Sequence, residues 1–310
     1  MGILKGNSRS LEARSKVLLT GASGLIGRYL TPVLHNTYEN LFVTEHELSP
    51  TNLGKTIRID LTKLGDVRIM IDDIQPDIIV NLAAKTDVDG CETERHNAML
   101  LNKGLVTVLS EYLVSNQSAY LLHMSTDYVF DGQAGNYQEL DSENPVNWYG
   151  KTKLEAEGEI ISKVEPSRWC IARTSTPFGT HPRKISFPVF VLRKLKSGEL
   201  INAVSDQFTS PTYANNLAKM LHEIVCRRIV GKIHVASKSR ISRYEQAIKI
   251  AGVFGFDKKL IHKKQMRDIK WKATRPLDSS LNVDKATKIL NFGPKIFDQE
   301  LVEFSNERPS

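Results

Sequence analysis

The stretch VLLTGASGLIGRYL, Val17 to Leu30, decides how the rest of the chain is read. Its apolar run up to Thr20 has the composition of a buried strand, and from Ile26 onward the apolar side chains recur at helical spacing. Between the two, Gly21, Gly24 and Gly27 stand three apart. Glycine permits a tight turn and lets backbone N–H groups come close to a ligand. The helix that follows adds donors and the positive end of its dipole. A glycine turn that leaves a strand and opens a helix suits a pyrophosphate, so this first unit is expected to bind a dinucleotide. Gly21, Ser23, Gly24, Leu25, Ile26 and Gly27 are the expected contacts.

Outward from that turn, short Val/Ile/Leu runs alternate with longer amphipathic segments. Strands are expected at Lys16–Thr20, Leu41–Thr44, Thr56–Asp60, Asp77–Asn81, Tyr120–Met124 and Trp169–Ala172, with a further one over Gly231–Ser237. Helices are expected at Ile26–His35, Leu64–Ile74, His96–Val114, Tyr149–Lys163, Asn215–Arg228 and Arg243–Phe254. Strands that alternate with crossover helices mean an α/β fold, a doubly wound, mainly parallel Rossmann sheet. After about Thr174 the regularity falls and prolines punctuate loops. The division expected is a leader over 1–15 and a dinucleotide-binding domain over 16–175, completed by about 205–236. A smaller C-terminal substrate-binding lobe is expected from 176–204 and 237–310.

Size and composition agree with such a protein. A chain of 310 residues can bury a large core. Its apolar and charged fractions, 41% and 25%, are those of a soluble globular protein. No apolar run approaches the ~20 residues that cross a bilayer, so no membrane role is expected. Cys91, Cys170 and Cys226 are odd in number and widely spaced, which suggests no disulfide framework, no metal site and a reducing cytoplasm. Cys170 and Cys226 read as core thiols. The net charge of +7 is concentrated in KKLIHKKQMRDIKWKATR, Lys258 to Arg275. A basic segment of this kind is either a solvated face or a partner for phosphates. No zinc finger, RNP-type strand or basic zipper accompanies it, so nucleic acid is not the expected partner.

Two further stretches carry chemistry. In FVTEHE, at the end of the second strand, Glu45 is placed to meet ribose hydroxyls, and a carboxylate there repels a 2′-phosphate. Arg28 and Lys55 lie where they could attract one, so the choice between NAD(H) and NADP(H) stays open. In IDL, Asp60 and Leu61 close the third strand near the adenine. In NWYGKTKLEAEGE, Tyr149 and Lys153 stand four apart, one turn apart on a single helix face. An ammonium beside a phenol is expected to lower the phenol from its ordinary value of ~10. Such a tyrosine can protonate a carbonyl oxygen as the carbon is reduced.

The glycine turn, NLAA at Asn81–Ala84 and the Tyr149/Lys153 pair together resemble the extended short-chain dehydrogenase/reductase family. That resemblance implies cofactor contacts from Ala83, Ala84, Lys85 and Asn102, the last with a structural role as well. It also implies that Thr126, in STDYVFDG, holds the substrate carbonyl beside Tyr149. STDYVFDG, PVNWYGKTKLEAEGE, SDQFTSPTYANNLA and RPLDSSL are similar, more narrowly, to the dTDP-4-dehydrorhamnose reductase family, from about Val17 to Leu290. The resemblance implies reduction of the 4-keto group of a nucleotide-linked deoxysugar with NAD(P)H, and a homodimer. Thr126, Tyr149 and Lys153 would be catalytic. Thr86, Val88, Asp127, Tyr128 and Thr176 would face the sugar, and Arg275 its phosphates. Thr176, in RTSTPFG, departs from the family's tryptophan, which leaves the sugar open. The acidic contacts for the magnesium that this family often uses are not evident, and no metal is expected in the chemistry. Two alternatives remain. One is a nucleotide-sugar epimerase on the same scaffold. The other is a non-catalytic NADP-binding subunit like the beta subunit of methionine adenosyltransferase, whose pattern is very similar.

Overall fold

Parallel neighbours cannot be joined by a hairpin, so a helix returns the chain across the sheet after most strands. The computed structural model describes residues 13–45, 53–307 and 309. It runs β1 (Lys16–Thr20), α1 (Leu25–His35), β2 (Asn40–Glu45), β3 (Lys55–Arg58), α2 (Leu64–Ile74), β4 (Ile78–Asn81), α3 (Val88–Thr93), α4 (Arg95–Met99) and α5 (Leu105–Ser115). Then come β5 (Tyr120–Thr126), α6 (Trp148–Lys163), β6 (Trp169–Thr174), α7 (Phe187–Lys196), β7 (Ile201–Val204), β8 (Phe208–Thr209), α8 (Ala214–Arg227) and β9 (Gly231–His234). The last elements are β10 (Ile241–Ser242), α9 (Arg243–Phe254), β11 (Ile261–Lys264), α10 (Asp284–Ile289) and α11 (Phe297–Ser305). Of the expected leader, residues 1–12 lie outside the described residues.

Seven strands, all parallel, pair in the order β3-β2-β1-β4-β5-β6-β9. This is the doubly wound Rossmann sheet expected from the alternation. Its strand order reverses between β1 and β4, which opens a crevice beyond the carboxyl ends of those strands. Both faces are covered, which is why successive strand residues are apolar. Val17 and Leu19 pack with Leu30 and Leu34 of α1 and Leu217 and Leu221 of α8. Leu18 packs on the opposite side, with Ile71 of α2, Leu109 of α5 and Ile160 of α6.

A third apolar cluster joins Leu192 of α7, Tyr213, Ile250 of α9 and Phe297 and Phe304 of α11. Two small sheets, antiparallel β10–β8 and parallel β11–β7, lie in the same part of the chain. Glu307 links this cluster to the large sheet. Its carboxylate accepts from Tyr29 of α1 and from Thr180, each at 2.8 Å, and from Tyr213. Cys91 and Cys170 are buried thiols; Cys226 is only half-buried, hydrogen-bonded with Tyr38 and His222 rather than sealed in the core.

Several boundaries differ from expectation for physical reasons. β5 runs two residues past Met124, because Ser125 and Thr126 pair with Arg173 and Thr174 of an equally extended β6. β3 stops at Arg58, so Asp60 and Leu61 lie in the loop beyond it. The single helix expected over His96–Val114 is interrupted by a π-turn, Leu100–Gly104. The extra residue in that turn accompanies an inward-facing Asn102. Its oxygen accepts from Lys85 N at 2.7 Å, and its amide nitrogen donates to Lys85 O at 3.2 Å and Thr152 Oγ1 at 2.9 Å. Such bulges cost helical hydrogen bonding and are kept where a side chain has work to do. Among the described residues no helix is long and apolar enough to cross a membrane.

Candidate active site

The glycine turn is built against the end of β4. Gly21 has φ +75°, and a Cβ there would lie 2.7 Å from Ala83 N. A Cβ on Gly27 would lie 2.4 Å from Gly21 O. Only hydrogen at both positions lets the turn close under the first turn of α1. Gly24 caps that helix without a side-chain hydrogen bond, so the cap residue takes up none of its leading N–H groups. A turn clear of side chains under a helix start fits the pyrophosphate of a dinucleotide. The turn forms one end of a cavity of about 800 Å³.

The end of β5 and the start of α6 line the same cavity. Thr126 Oγ1 accepts from Tyr128 N at 3.2 Å and donates to Asp127 Oδ1 at 3.0 Å, which starts the short turn Asp127–Val129. Asn147 starts α6 by accepting from Gly150 N at 2.8 Å. Gly150 allows a close approach: a Cβ there would sit 2.1 Å from Tyr128 O. That approach brings the Tyr149 phenol beside Thr126, whose hydroxyl acts to lower the phenol.

The ionisation of the pair differs from expectation. Burial pushes the Tyr149 phenol well above its ordinary value, outweighing the influence of the Thr126 hydroxyl. Burial also pulls Lys153 down to about 8. The Lys153 amine donates to Met124 O at 2.7 Å and meets His123 Nε2 at 3.1 Å. The expected lowering of the phenol by an adjacent ammonium is therefore not what the structure has. Desolvation of both groups dominates.

Asp127 is buried and pushed up to about 6, because burial outweighs the hydroxyls that bond it. Besides Thr126, Ser175 donates to it at 2.8 Å and Ser279 at 2.6 Å. Its carboxylate thus ties β5, the end of β6 and the segment before α10 together at the cavity floor. Tyr128 packs edge-on against Tyr149, ring centroids 6.0 Å apart, and burial raises it to about 12. Arg275 reaches the cavity and pairs with Asp89 of α3 at 3.1 Å. Thr176 lines the cavity in a left-handed conformation, φ +36°, with its hydroxyl 3.3 Å from that of Thr209.

Of the expected residues, the cavity gathers the six of the glycine turn, Asp60, Leu61, Ala83, Ala84, Thr86, Val88, Thr126, Asp127, Tyr128, Tyr149, Lys153, Thr176 and Arg275. Three expected contacts are not brought to it. Glu45 is buried at the end of β2, and its neighbour Thr44 lines the cavity instead. Lys85 directs its amine to Glu94 at 3.0 Å. Asn102 is occupied with Lys85 and Thr152. Asp60 does face the cavity, but its Oδ1 accepts from both Thr62 N and Thr62 Oγ1, at 3.0 and 2.7 Å. Residues 46–52, which follow β2, lie outside the described residues. Two cations absent from the sequence reading also line the cavity, Lys184 and Arg243. Arg243 opens α9, and burial draws its guanidinium below its ordinary value, with the nearby Asp127 carboxylate acting the other way. Neither sits in a motif, so only the folding of distant segments onto one cleft reveals them.

Residues 15–309 match the family described as the RmlD substrate binding domain. A dTDP-4-dehydrorhamnose reductase from Aggregatibacter actinomycetemcomitans is 33% identical over 93% of this chain and 97% of its own. A methionine adenosyltransferase 2 subunit beta from Danio rerio is 31% identical over 77% of this chain and 74% of its own. Among solved structures, dTDP-4-dehydrorhamnose reductase from Bacillus anthracis in complex with NADP superposes with a TM-score of 0.84. It is 26% identical, over 95% of this chain and 99% of that one. With a match across nearly its whole length and the glycine turn, Thr126 and Tyr149 around one cavity, this chain belongs to the dTDP-4-dehydrorhamnose reductase family.

Proposed function

We propose that the protein reduces the 4-keto group of a nucleotide-linked deoxysugar, dTDP-4-dehydrorhamnose to dTDP-L-rhamnose, with NADPH or NADH. The observation that carries this reading is the meeting of Thr126 and Tyr149 at the wall of a cavity whose other end is the glycine turn. When bound, the reduced nicotinamide supplies the hydride. Gly21, Ser23, Gly24 and Gly27 would hold its pyrophosphate, and Leu61, Ala83 and Ala84 would border the rest.

Thr126 and Tyr149 grip the ketone oxygen, where negative charge develops, and Tyr149 gives it a proton. A phenol that is protonated at neutral pH has that proton to give. Lys153, which lines the same cavity, orients the cofactor ribose. Tyr128 covers the sugar, Thr86, Val88 and Thr176 bound it, and Arg275 with Arg243 and Lys184 meets the diphosphate. The large sheet would act as the cofactor domain and the third apolar cluster as the substrate lobe, in a cytoplasmic homodimer.

The 31% likeness to a methionine adenosyltransferase subunit supports a second reading, a regulatory subunit without turnover. One experiment separates the two. Purified protein is mixed with the keto-sugar nucleotide and each reduced cofactor, and the nicotinamide absorbance is followed. Oxidation of one equivalent per ketone is expected. Stoichiometric capture of an adenosyltransferase with no oxidation would favour the regulatory reading.

A further inference from the structure

The segment that leads from β6 to α7 ends in a strap, Gly179 to Ser186, whose two ends are tied together. Ser186 Oγ donates to Gly179 O at 2.8 Å and accepts from Gly179 N at 3.4 Å. The strap starts hard against α1. A Cβ on Gly179 would lie 2.7 Å from the Tyr29 hydroxyl, which accepts from Thr180 N at 2.8 Å. Beyond that anchor the His181 ring is held from both sides. Its Nδ1 lies 3.1 Å from Arg183 N and 2.9 Å from Lys184 N. Its Nε2 lies 2.9 Å from the carbonyl oxygen of Ser23, inside the glycine turn. Lys184, Ile185 and Ser186 line the same cavity as Ser23 and Gly24.

Backbone N–H groups only donate, so Nδ1 accepts from both and the ring hydrogen lies on Nε2. The Ser23 carbonyl only accepts, which requires the same tautomer. We propose that His181 is a positioning residue for the cofactor: as the neutral ring with hydrogen on Nε2, it latches the strap to the glycine turn and so sets how tightly the two together hold a dinucleotide. Nδ1 organises the strap's own turn, and Nε2 joins that turn to the residues that would hold the pyrophosphate. The same join keeps the Lys184 cation at the edge of a cavity that is to receive an anion. The inference rests on the reading of the glycine turn as the cofactor site.

The latch is sensitive to protonation. A proton on Nδ1 sets an N–H against two N–H groups that need an acceptor, so the strap's turn has to open. The surroundings favour the neutral ring. Burial draws it below its ordinary value, as do Lys184 and Arg183 of the strap and Arg28 of α1, while its bond to Ser23 acts the other way. The acid that touches the strap, Glu307, is bonded to Tyr29, Thr180 and Tyr213. An unlatched ring takes a proton more readily than the latched one. The latch therefore holds at neutral pH and weakens as pH falls below the ordinary histidine value of ~6.5.

The test compares the parent with His181→Asn. The asparagine Oδ1 keeps an acceptor for the strap's own N–H groups, but the side chain is too short to reach Ser23 O. A ring that only shapes the strap would tolerate this change. Dissociation constants of NADPH and NADH are read by nicotinamide fluorescence between about pH 8 and pH 5. At the upper end the variant should bind about three to ten times more weakly than the parent. The ratio of the two constants should fall towards one at the lower end, because the parent loses its own latch there. Taking the ratio cancels the titration of Asp127 and of the cofactor, which both proteins share. A ratio near one at the upper end, or one that does not fall with pH, would overturn the proposal. So would an Nδ1–H tautomer of His181 in the imidazole ¹⁵N spectrum of the parent, its signals identified by their loss in the variant. In either case a parent that binds cofactor leaves the reductase reading standing. A parent that binds neither cofactor refutes both.

Discussion

On the proposed mechanism the chemistry turns, at the residue scale, on one phenol. Tyr149→Phe removes a single oxygen from a site that keeps Thr126, Tyr128 and the glycine turn. The ring and its packing on Tyr128 stay, so cofactor affinity should be little changed while kcat falls by about 10²–10⁴. Steady-state kinetics with titration of the reduced cofactor checks both halves. Tyr149 and Lys153 were legible because their spacing already places them on one helix face, and Thr126 because STDYVFDG resembles a known family. The electrostatics of the pair were not. Spacing shows that two groups are near each other, but burial depends on what the rest of the chain packs over them. Glu45 shows the same limit, since its place after a strand was readable but its burial was not. Arg243 reaches the cleft from a segment nearly 100 residues beyond Tyr149, and no local pattern marks it.

At the scale of elements, two devices hold the site. The first is Gly150, which lets α6 approach the Tyr128 carbonyl. Gly150→Ala would need about an ångström of helix displacement to clear a 2.1 Å contact. Displacement of that order should lower kcat by about 10² with an unchanged circular dichroism spectrum. The second is the π-turn. Asn102→Ala would strand the Lys85 amide and release Thr152, at a cost of about 1–3 kcal/mol by denaturant unfolding. The βα alternation was legible because parallel strands buried on both faces must be apolar and need crossovers. The π-turn was not, because an inward asparagine interrupts the helix without breaking its apolar period.

For the molecule as a whole, the third apolar cluster is joined to α8 through a buried acid. Glu300 of α11 accepts from Tyr213 N at 3.0 Å, at the start of α8, and burial pushes it up to about 8. A carboxyl raised on folding stabilises the protein fully below its unfolded value and loses that contribution as pH rises towards 8. Glu300→Gln keeps the acceptor for Tyr213 N, and its N–H meets Asn216 once that amide, whose nitrogen donates to Glu300 at 3.4 Å, reverses to present its oxygen. The melting temperature of the parent should therefore fall relative to this variant between about pH 5 and pH 8, as thermal unfolding across that range would show. This half of the chain was the least legible. Its sheets pair β10 with β8 and β11 with β7 across tens of residues, through strands of two to four residues. Strands so short carry little periodicity, and what joins them is tertiary packing.

The central claim is direct reduction of a ketone at the meeting point of Thr126 and Tyr149. Its sharpest test is turnover of the keto-sugar nucleotide with reduced cofactor deuterated at the transferable position, followed by mass spectrometry and NMR of the product. The account predicts one deuterium at the former ketone carbon in the parent, and almost no product from Tyr149→Phe in the same time. Product without deuterium at that carbon, or an equal yield from the variant, would contradict it.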